Sequence, residues 1–222
     1  MRAASAFFFA ILFCTVASAH EVTGTVQVLL KDGKVKNDLS DVVIYLSQDK
    51  EAKIPENLLK SQYLITTKNK QFNPRILAIP IGATVNFPNY DSIFHNIFSV
   101  SAPNQFDLGL YKGGASKPNT FASSGVVRVF CNVHPQMSAT VIVTNTPYYT
   151  MADKQGHFSF TEVNNGSYEL HAYCEEGQTA TNLEMNGSPA KVDLKVDASK
   201  YKKLPHKNKF GKDYETDAGE SY

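Results

Sequence analysis

The stretch VVRVFCNVHPQMSATVIV, residues 126–143, determines how the rest of the chain is interpreted. Two apolar runs, Val126 to Phe130 and Ala139 to Val143, flank a short polar insert. Apolar runs of this length predict a strand on each side, so the insert is a loop held between two strands. That loop carries three side chains with metal-binding atoms, Cys131, His134 and Met137.

A thiolate, an imidazole and a thioether form a soft ligand set. Such a set selects copper when a second imidazole completes a trigonal plane of two histidines and one cysteine, with a weak axial methionine. His95 is the candidate for the second imidazole, because it follows the turn at residues 88–92 that ends an upstream strand. A sandwich would bring it beside the loop. The sequence therefore predicts a copper site made of His95, Cys131, His134 and Met137.

The order His95-Asn96 and then Cys131, His134, Pro135 and Met137 resembles the type 1 (blue) copper site of the cupredoxin family. The short loop spacing is similar to that of amicyanin rather than the longer loop of plastocyanin. Between residues 60 and 145, the segments QFNPRILAIPIGATVNFPNYD, HNIFSV, FDLGLYKGG and GVVRVFCNVHPQM also resemble periplasmic methylamine-utilisation proteins. The resemblance implies a Greek-key cupredoxin sandwich, one type 1 copper ion, and electron transfer rather than enzymatic turnover.

The resemblance also implies how the cysteine sulfur is held. The backbone N–H of Asn96 is expected to donate to that sulfur, whereas Pro135 has no N–H with which to do so. Val133, Pro135 and Met137 are expected to give His134 an apolar surround, where its ring edge meets a redox partner protein.

The histidines and the methionine also have simpler interpretations. His95 lies between aromatic residues and can be a core histidine, and Met137 can be ordinary packing at a loop end. Taken together with Cys131 and His134, ligation is the favoured interpretation. His20, which cleavage would make N-terminal, can form a copper brace with its own amine, but an exposed terminal histidine is favoured.

The N-terminal residues have the pattern of a secretory signal peptide. Arg2 precedes the apolar run Phe7 to Val16, and Ala17-Ser18-Ala19 is a cleavage signal. That run is too short to span a bilayer, and no later segment is long enough. We expect cleavage after Ala19 and a periplasmic or secreted mature protein.

The net charge limits the classes of partner, and the cysteines raise the separate question of a disulfide. The chain has 22 lysines and arginines and 21 acidic residues, a balance that gives no support for nucleic acid or an acidic membrane as partner.

Cys131 and Cys174 would survive processing and can form a disulfide in an oxidising compartment. Strand alternation places Cys174 on an apolar face with Leu170 and Ala172, where a free thiol acts as a small hydrophobe, so a free Cys174 is favoured.

The two ends of the chain predict a second, small β-sandwich. Alternation from Val22 to Leu30 and the apolar run Val42 to Leu46 predict two strands. Later, D-x-x-G-x-F-x-F from Asp153 and N-G-x-Y-x-L from Asn165 resemble the transthyretin-like, carboxypeptidase-regulatory type of sandwich. The whole chain is expected to be all-β, with the cupredoxin sandwich inserted in or flanked by this second one.

The expected division of the chain has five parts. These are a signal peptide (1–19), N-terminal strands of the transthyretin-like sandwich (20–58), the copper domain (59–145), the remainder of the transthyretin-like sandwich (146–198) and a charged flexible tail (199–222). Within the copper domain, strands are expected near 76–79 and 84–87, and a long loop over 101–120.

The sequence favours a periplasmic one-electron carrier with a single type 1 copper. A storage or delivery protein is one alternative, although storage proteins expose several methionine or cysteine ligands and this chain has one compact mixed set. A non-redox interaction protein, in which the second sandwich docks a partner, is the other.

Overall fold

A computed structural model describes residues 20–50, 52–203 and 205–214, and the regular secondary structure of these residues is almost entirely β-strand. The predicted signal peptide lies outside this part of the chain. Among the described residues, no helix is long and apolar enough to cross a membrane. The helical segments are a 3-10 turn at Lys31–Gly33 and the short helix α1 at Glu56–Leu59. The strands are β1 His20–Leu29, β2 Val43–Ser47, β3 Tyr63–Leu64, β4 Thr66–Lys68, β5 Gln71–Asn73, β6 Ile76–Pro80, β7 Thr84–Pro88, β8 His95–Ser99, β9 Phe106–Tyr111, β10 Ser116–Thr120, β11 Gly125–Cys131, β12 Ser138–Thr144, β13 Tyr149–Met151, β14 His157–Val163, β15 Gly166–Cys174, β16 Gly177–Met185 and β17 Ala190–Asp197.

Strands from both ends of the chain form one sandwich, here called the terminal sandwich. Its two sheets have the orders β14-β1-β17 and β13-β2-β15-β16. Alternate residues of β1 are buried, as its period predicts, and share one core with Leu46, Leu170 and Val196. At Gly24 a Cβ would lie 1.8 Å from the carbonyl oxygen of Val192, so β1 can pair this closely with β17 only because that position has no side chain.

The middle of the chain forms the central sandwich. Its sheets have the orders β10-β7-β3 and β6-β12-β11-β8-β9, and its core includes Phe87, Ile97 and Phe121. The expected strands near 76–79 and 84–87 are confirmed as β6 and β7. The expected long loop over 101–120 is wrong, because β9 pairs with β8 and β10 pairs with β7. Both are edge strands, where glycine and proline are tolerated. Because loops are also rich in these residues, the composition of the segment led to the wrong prediction.

A third apolar cluster joins the two sandwiches. Val43 and Tyr173 from β2 and β15 pack against Ile76, Ala78 and Ile142 from β6 and β12. The chain leaves and re-enters the terminal sandwich at neighbouring points. The N–H of Ala52 donates to Asn145 O at 2.9 Å, and Asn145 Nδ2 donates to Gln48 O at 2.6 Å.

Candidate metal centre

Two neighbouring strands, β8 and β11, and the loop from β11 to β12 bring the predicted ligands together at one end of a sheet. β8 begins at His95, and β11, which pairs with it, ends at Cys131. The connection from β11 to β12 then carries His134 and Met137. Because β8, β11 and β12 are consecutive in the sheet, residues distant in sequence meet here.

The ring nitrogens of both histidines converge on the cysteine sulfur. His95 Nδ1 lies 3.6 Å from Cys131 Sγ, and His134 Nδ1 lies 3.9 Å from it. The two Nδ1 atoms are 3.1 Å apart, a distance at which two lone pairs repel unless a proton or a cation lies between them. Within residues 20–50, 52–203 and 205–214, this is the one group of three or more His, Cys, Asp or Glu side chains close enough to hold a metal ion.

Met137, the predicted axial ligand, lies at the far end of the same loop. Its side chain is buried in the central core together with Cys131. Two backbone bonds close the loop: the N–H of Met137 donates to His134 O at 3.1 Å, and the N–H of Cys131 donates to Met137 O at 3.3 Å. This position is compatible with both ligation and packing, so its role stays a prediction.

Asp91, which the sequence did not single out, orients His95. His95 Nε2 lies 2.9 Å from Asp91 Oδ2, so Nε2–H donates to the carboxylate and the Nδ1 lone pair faces the other ligands. The backbone N–H groups of Asn69 and Lys70 donate to Asp91 at 2.5 and 3.0 Å. A carboxylate held by three donors fixes both the tautomer and the direction of the ring. The only available signal was an acidic residue in the turn before His95.

Burial and hydrogen bonding shift the pKa values of His95 and Asp91 in opposite directions. Burial lowers the pKa of His95, and Asp91 opposes that shift only in part. For Asp91, burial tends to raise the pKa, but the N–H of Lys70, the His95 ring and the N–H of Asn69 together hold it below its usual value. Burial, followed by the neighbouring His95, lowers the pKa of His134. Both imidazoles therefore favour the neutral form, which is the form that binds metal.

Cys131 combines full burial with backbone donors aimed at its sulfur. Burial raises the pKa of this thiol, while backbone hydrogen bonds from Val133, Asn96 and His134 oppose the rise. The direction of the Asn96 effect agrees with the expected donation, and the N–H of Val133 donates to the sulfur at 3.4 Å, a contact that the sequence did not predict. These donors favour a thiolate, the form in which cysteine binds metal.

The remaining histidine and cysteine predictions have different outcomes. His20 pairs with Val163 and is only 8% exposed, so the expected exposed terminal histidine is wrong; as the first residue of β1 it continues the alternating buried side of that strand. Cys131 lies in the central core and Cys174 in the terminal core, and both thiols are free.

Several solved structures of copper proteins are similar to this chain. A purple cupredoxin from Nitrosopumilus maritimus is 27% identical, with a TM-score of 0.34, over 37% of this chain and 100% of that chain. A reduced amicyanin variant is 18% identical, with a TM-score of 0.36, over 45% of this chain and 98% of that chain. A copper-containing nitrite reductase from Thermus scotoductus SA-01 is 24% identical, with a TM-score of 0.36, over 45% of this chain and 25% of that chain.

No protein-family model and no curated protein matches the chain. The similar structures are copper proteins, and those named as cupredoxin or amicyanin match almost over their full length. Each match covers less than half of this chain, at a TM-score well below 0.5. Such likenesses do not identify a function.

Proposed function

We propose that this protein binds one type 1 copper ion through His95, Cys131 and His134, with Met137 as axial ligand, and carries single electrons between redox partner proteins. The observation that supports this most directly is the convergence of two imidazole Nδ1 atoms on one buried sulfur. Two nitrogen donors and a thiolate with a weak axial sulfur are the donor set of type 1 copper sites. Bound there, copper would supply one-electron redox chemistry.

The chain's own residues hold the donor atoms in place. Cys131 is the last residue of a paired strand, and Asp91 orients the His95 ring. His95 and Cys131 are both fully buried, which excludes water from two of the donors. Donors that are already fixed and desolvated need little rearrangement when an electron arrives or leaves.

His134 differs from the other two donors in its exposure. It is only half-buried, and its neighbours Val133 and Pro135 are exposed. The route for electrons into the site is therefore expected to pass through the edge of this ring at the tip of the loop.

The competing functions have less support. In the part of the chain that the structure describes, a single group of three metal-binding side chains is present, and a storage protein would need several. A secreted or periplasmic location is proposed from the N-terminal signal pattern. An oxidising compartment is compatible with two free cysteines that lie in separate cores.

The visible spectrum of the mature protein tests the proposal. With one equivalent of Cu(II), we expect an intense thiolate-to-copper band that a reductant bleaches and an oxidant restores. A colourless or redox-silent copper complex would contradict the electron carrier. Binding of several Cu(I) ions, measured by elemental analysis, would favour storage instead.

A further inference from the structure

Residues 205–214, expected from their charge to belong to a solvated tail, lie against the ligand loop. The Tyr214 hydroxyl donates to the backbone carbonyl of Cys131 at 2.6 Å. The backbone N–H of Lys209 donates to Asn132 Oδ1 at 3.0 Å. The segment therefore bonds two consecutive residues at the point where β11 ends and the loop begins.

An aromatic contact holds Tyr214 in this position. The His206 ring stacks on Phe130 with centroids 4.2 Å apart, and it meets the Tyr214 ring edge-on at 5.2 Å. A carbonyl oxygen only accepts, so the single hydroxyl proton of Tyr214 goes to Cys131. His206 Nδ1, which is 3.2 Å from that hydroxyl oxygen, must then be the donor to it. Burial raises the pKa of Tyr214, which keeps the hydroxyl protonated.

A second anchor reaches the cysteine from the other side. Lys209 Nζ lies 2.7 Å from Asp107 Oδ2, and Asn96 Nδ2 donates to Asp107 Oδ1 at 2.5 Å. The backbone of Asn96 lowers the pKa of the Cys131 thiol. The segment thus contacts the carbonyl of Cys131 directly and is linked through Asp107 to Asn96, next to His95 on β8.

We propose that residues 205–214 form a C-terminal clamp that fixes Cys131, with Tyr214 as its main positioning residue. The clamp holds the start of the ligand loop against the sheet and leaves the loop tip, with Val133 and Pro135, exposed. Its link to copper rests on the proposed function. The clamping itself is a property of the metal-free chain and can be measured without copper.

The test measures how fast iodoacetamide alkylates each cysteine of the full-length, metal-free protein. Tyr214→Phe removes only the hydroxyl, so Cys131 should react about fivefold faster, the effect of losing one hydrogen bond. Lys209→Ala should act in the same direction. Tyr201→Phe is the matched control, since that hydroxyl bonds Glu175 in the terminal sandwich at 3.2 Å, and it should change nothing.

Cys174 in the same molecules is an internal reference, read separately by peptide mass spectrometry. Faster alkylation of Cys131 alone supports the clamp. Equal acceleration of both thiols means general destabilisation, and no acceleration means a surface contact without consequence; either result overturns the proposal. In copper-loaded protein, Tyr214→Phe should also speed the loss of copper to a chelator. If the wild type forms no blue copper complex while Tyr214→Phe still speeds the alkylation of Cys131, the proposed function fails and the clamp stands.

Discussion

Each sandwich contains a strand that ends in a buried cysteine, and the two thiols have different surroundings. β15 ends at Cys174, whose sulfur lies 3.5 Å from the carbonyl of Gly177 across a tight hairpin. Burial and Glu176 raise its pKa to about 11. β11 ends at Cys131, whose sulfur faces two imidazole nitrogens and accepts from backbone N–H groups.

Burial alone therefore does not distinguish a structural thiol from a metal ligand. Both cysteines are almost inaccessible, at 0% and 1% exposure, and burial raises the pKa of each. The difference comes from the neighbouring strand. β8 brings His95 and Asn96 to Cys131, whereas β16 brings only a glycine to Cys174. Donors on the adjacent strand give Cys131 the surroundings that the proposed metal site requires, and Cys174 lacks them.

The largest expected effect tests whether the two sandwiches are independent, as the proposed division of the chain requires. A chain in which a short linker replaces residues 60–145 should still fold, because the terminal core is complete without them and Ala52 and Asn145 are already in contact. A fragment that starts at Lys60 should aggregate, since β14 and β15 lose their partners β1 and β2.

Circular dichroism and thermal melting of these two proteins decide the question. The linker protein should melt cooperatively but at a lower temperature than the full chain, because Val43 and Tyr173 lose their cover. A soluble, cooperatively melting Lys60 fragment beside an unfolded linker protein would instead favour two consecutive domains.

The next effect separates the two thiols directly. Cys131→Ser should abolish the visible band of the copper-loaded protein, because the band requires the thiolate. Cys174→Ser, the matched control, should leave the band unchanged and lower the stability by about 1 kcal/mol through the buried hydroxyl. A band that survives Cys131→Ser, or disappears with Cys174→Ser, would contradict the proposal that copper binds in the central sandwich.

A smaller effect is expected at Met137. Met137→Leu keeps the side chain apolar and similar in volume, so the fold and the blue colour should remain. Loss of the axial donor leaves copper with fewer ligands, which favours Cu(I), so the reduction potential should rise. Met185→Leu, at a methionine buried in the terminal core, controls for the chemical change alone. If potentiometry finds the two variants equal, Met137 is ordinary packing.

The smallest effect concerns acid stability of the metal-free protein. His95 and His134 have pKa values below the ordinary 6.5, so the unfolded chain takes up protons first as the pH falls. The free energy of unfolding should therefore decrease below about pH 6.5, by at most about 1.4 kcal/mol per pH unit for each group. Asp91 does not contribute in this range, because its pKa is held below 3.8 and the stability it provides is lost only in stronger acid.

His171 allows the same measurement in the terminal sandwich. Burial lowers its pKa while Glu169 opposes the shift, so it should add a slope of the same sign. Denaturant unfolding at pH 7.5, 6.5 and 5.5 should show a shallower slope for His134→Gln and for His171→Gln than for the wild type. If the stability of the wild type is independent of pH over this range, the pKa values of these histidines are not lowered in the folded protein.

Much of the fold could be predicted from local pattern. The alternation in β1, the apolar run of β2 and the strands on both sides of the ligand loop all have the positions their sequences indicate. The failures were at edges. β9 and β10 are half-exposed and contain glycine and proline, so their composition imitates a loop, and only pairing with β8 and β7 makes them strands.

The sequence by itself determined which donor atoms the proposed metal site can offer, because the type of donor atom is a property of single residues. The sequence alone shows a cysteine, a histidine and a methionine in one short loop, and a further histidine after an upstream strand. The tertiary structure decided which groups surround them. Asp91 reaches His95, the Val133 N–H reaches the sulfur, and Tyr214 reaches the Cys131 carbonyl from more than 80 residues away. Val133 and Asp91 are near neighbours of their partners in sequence, but the sequence does not say in which direction their donor and acceptor groups point. Tyr214 comes within hydrogen-bonding distance of Cys131 only through the folding of the whole chain.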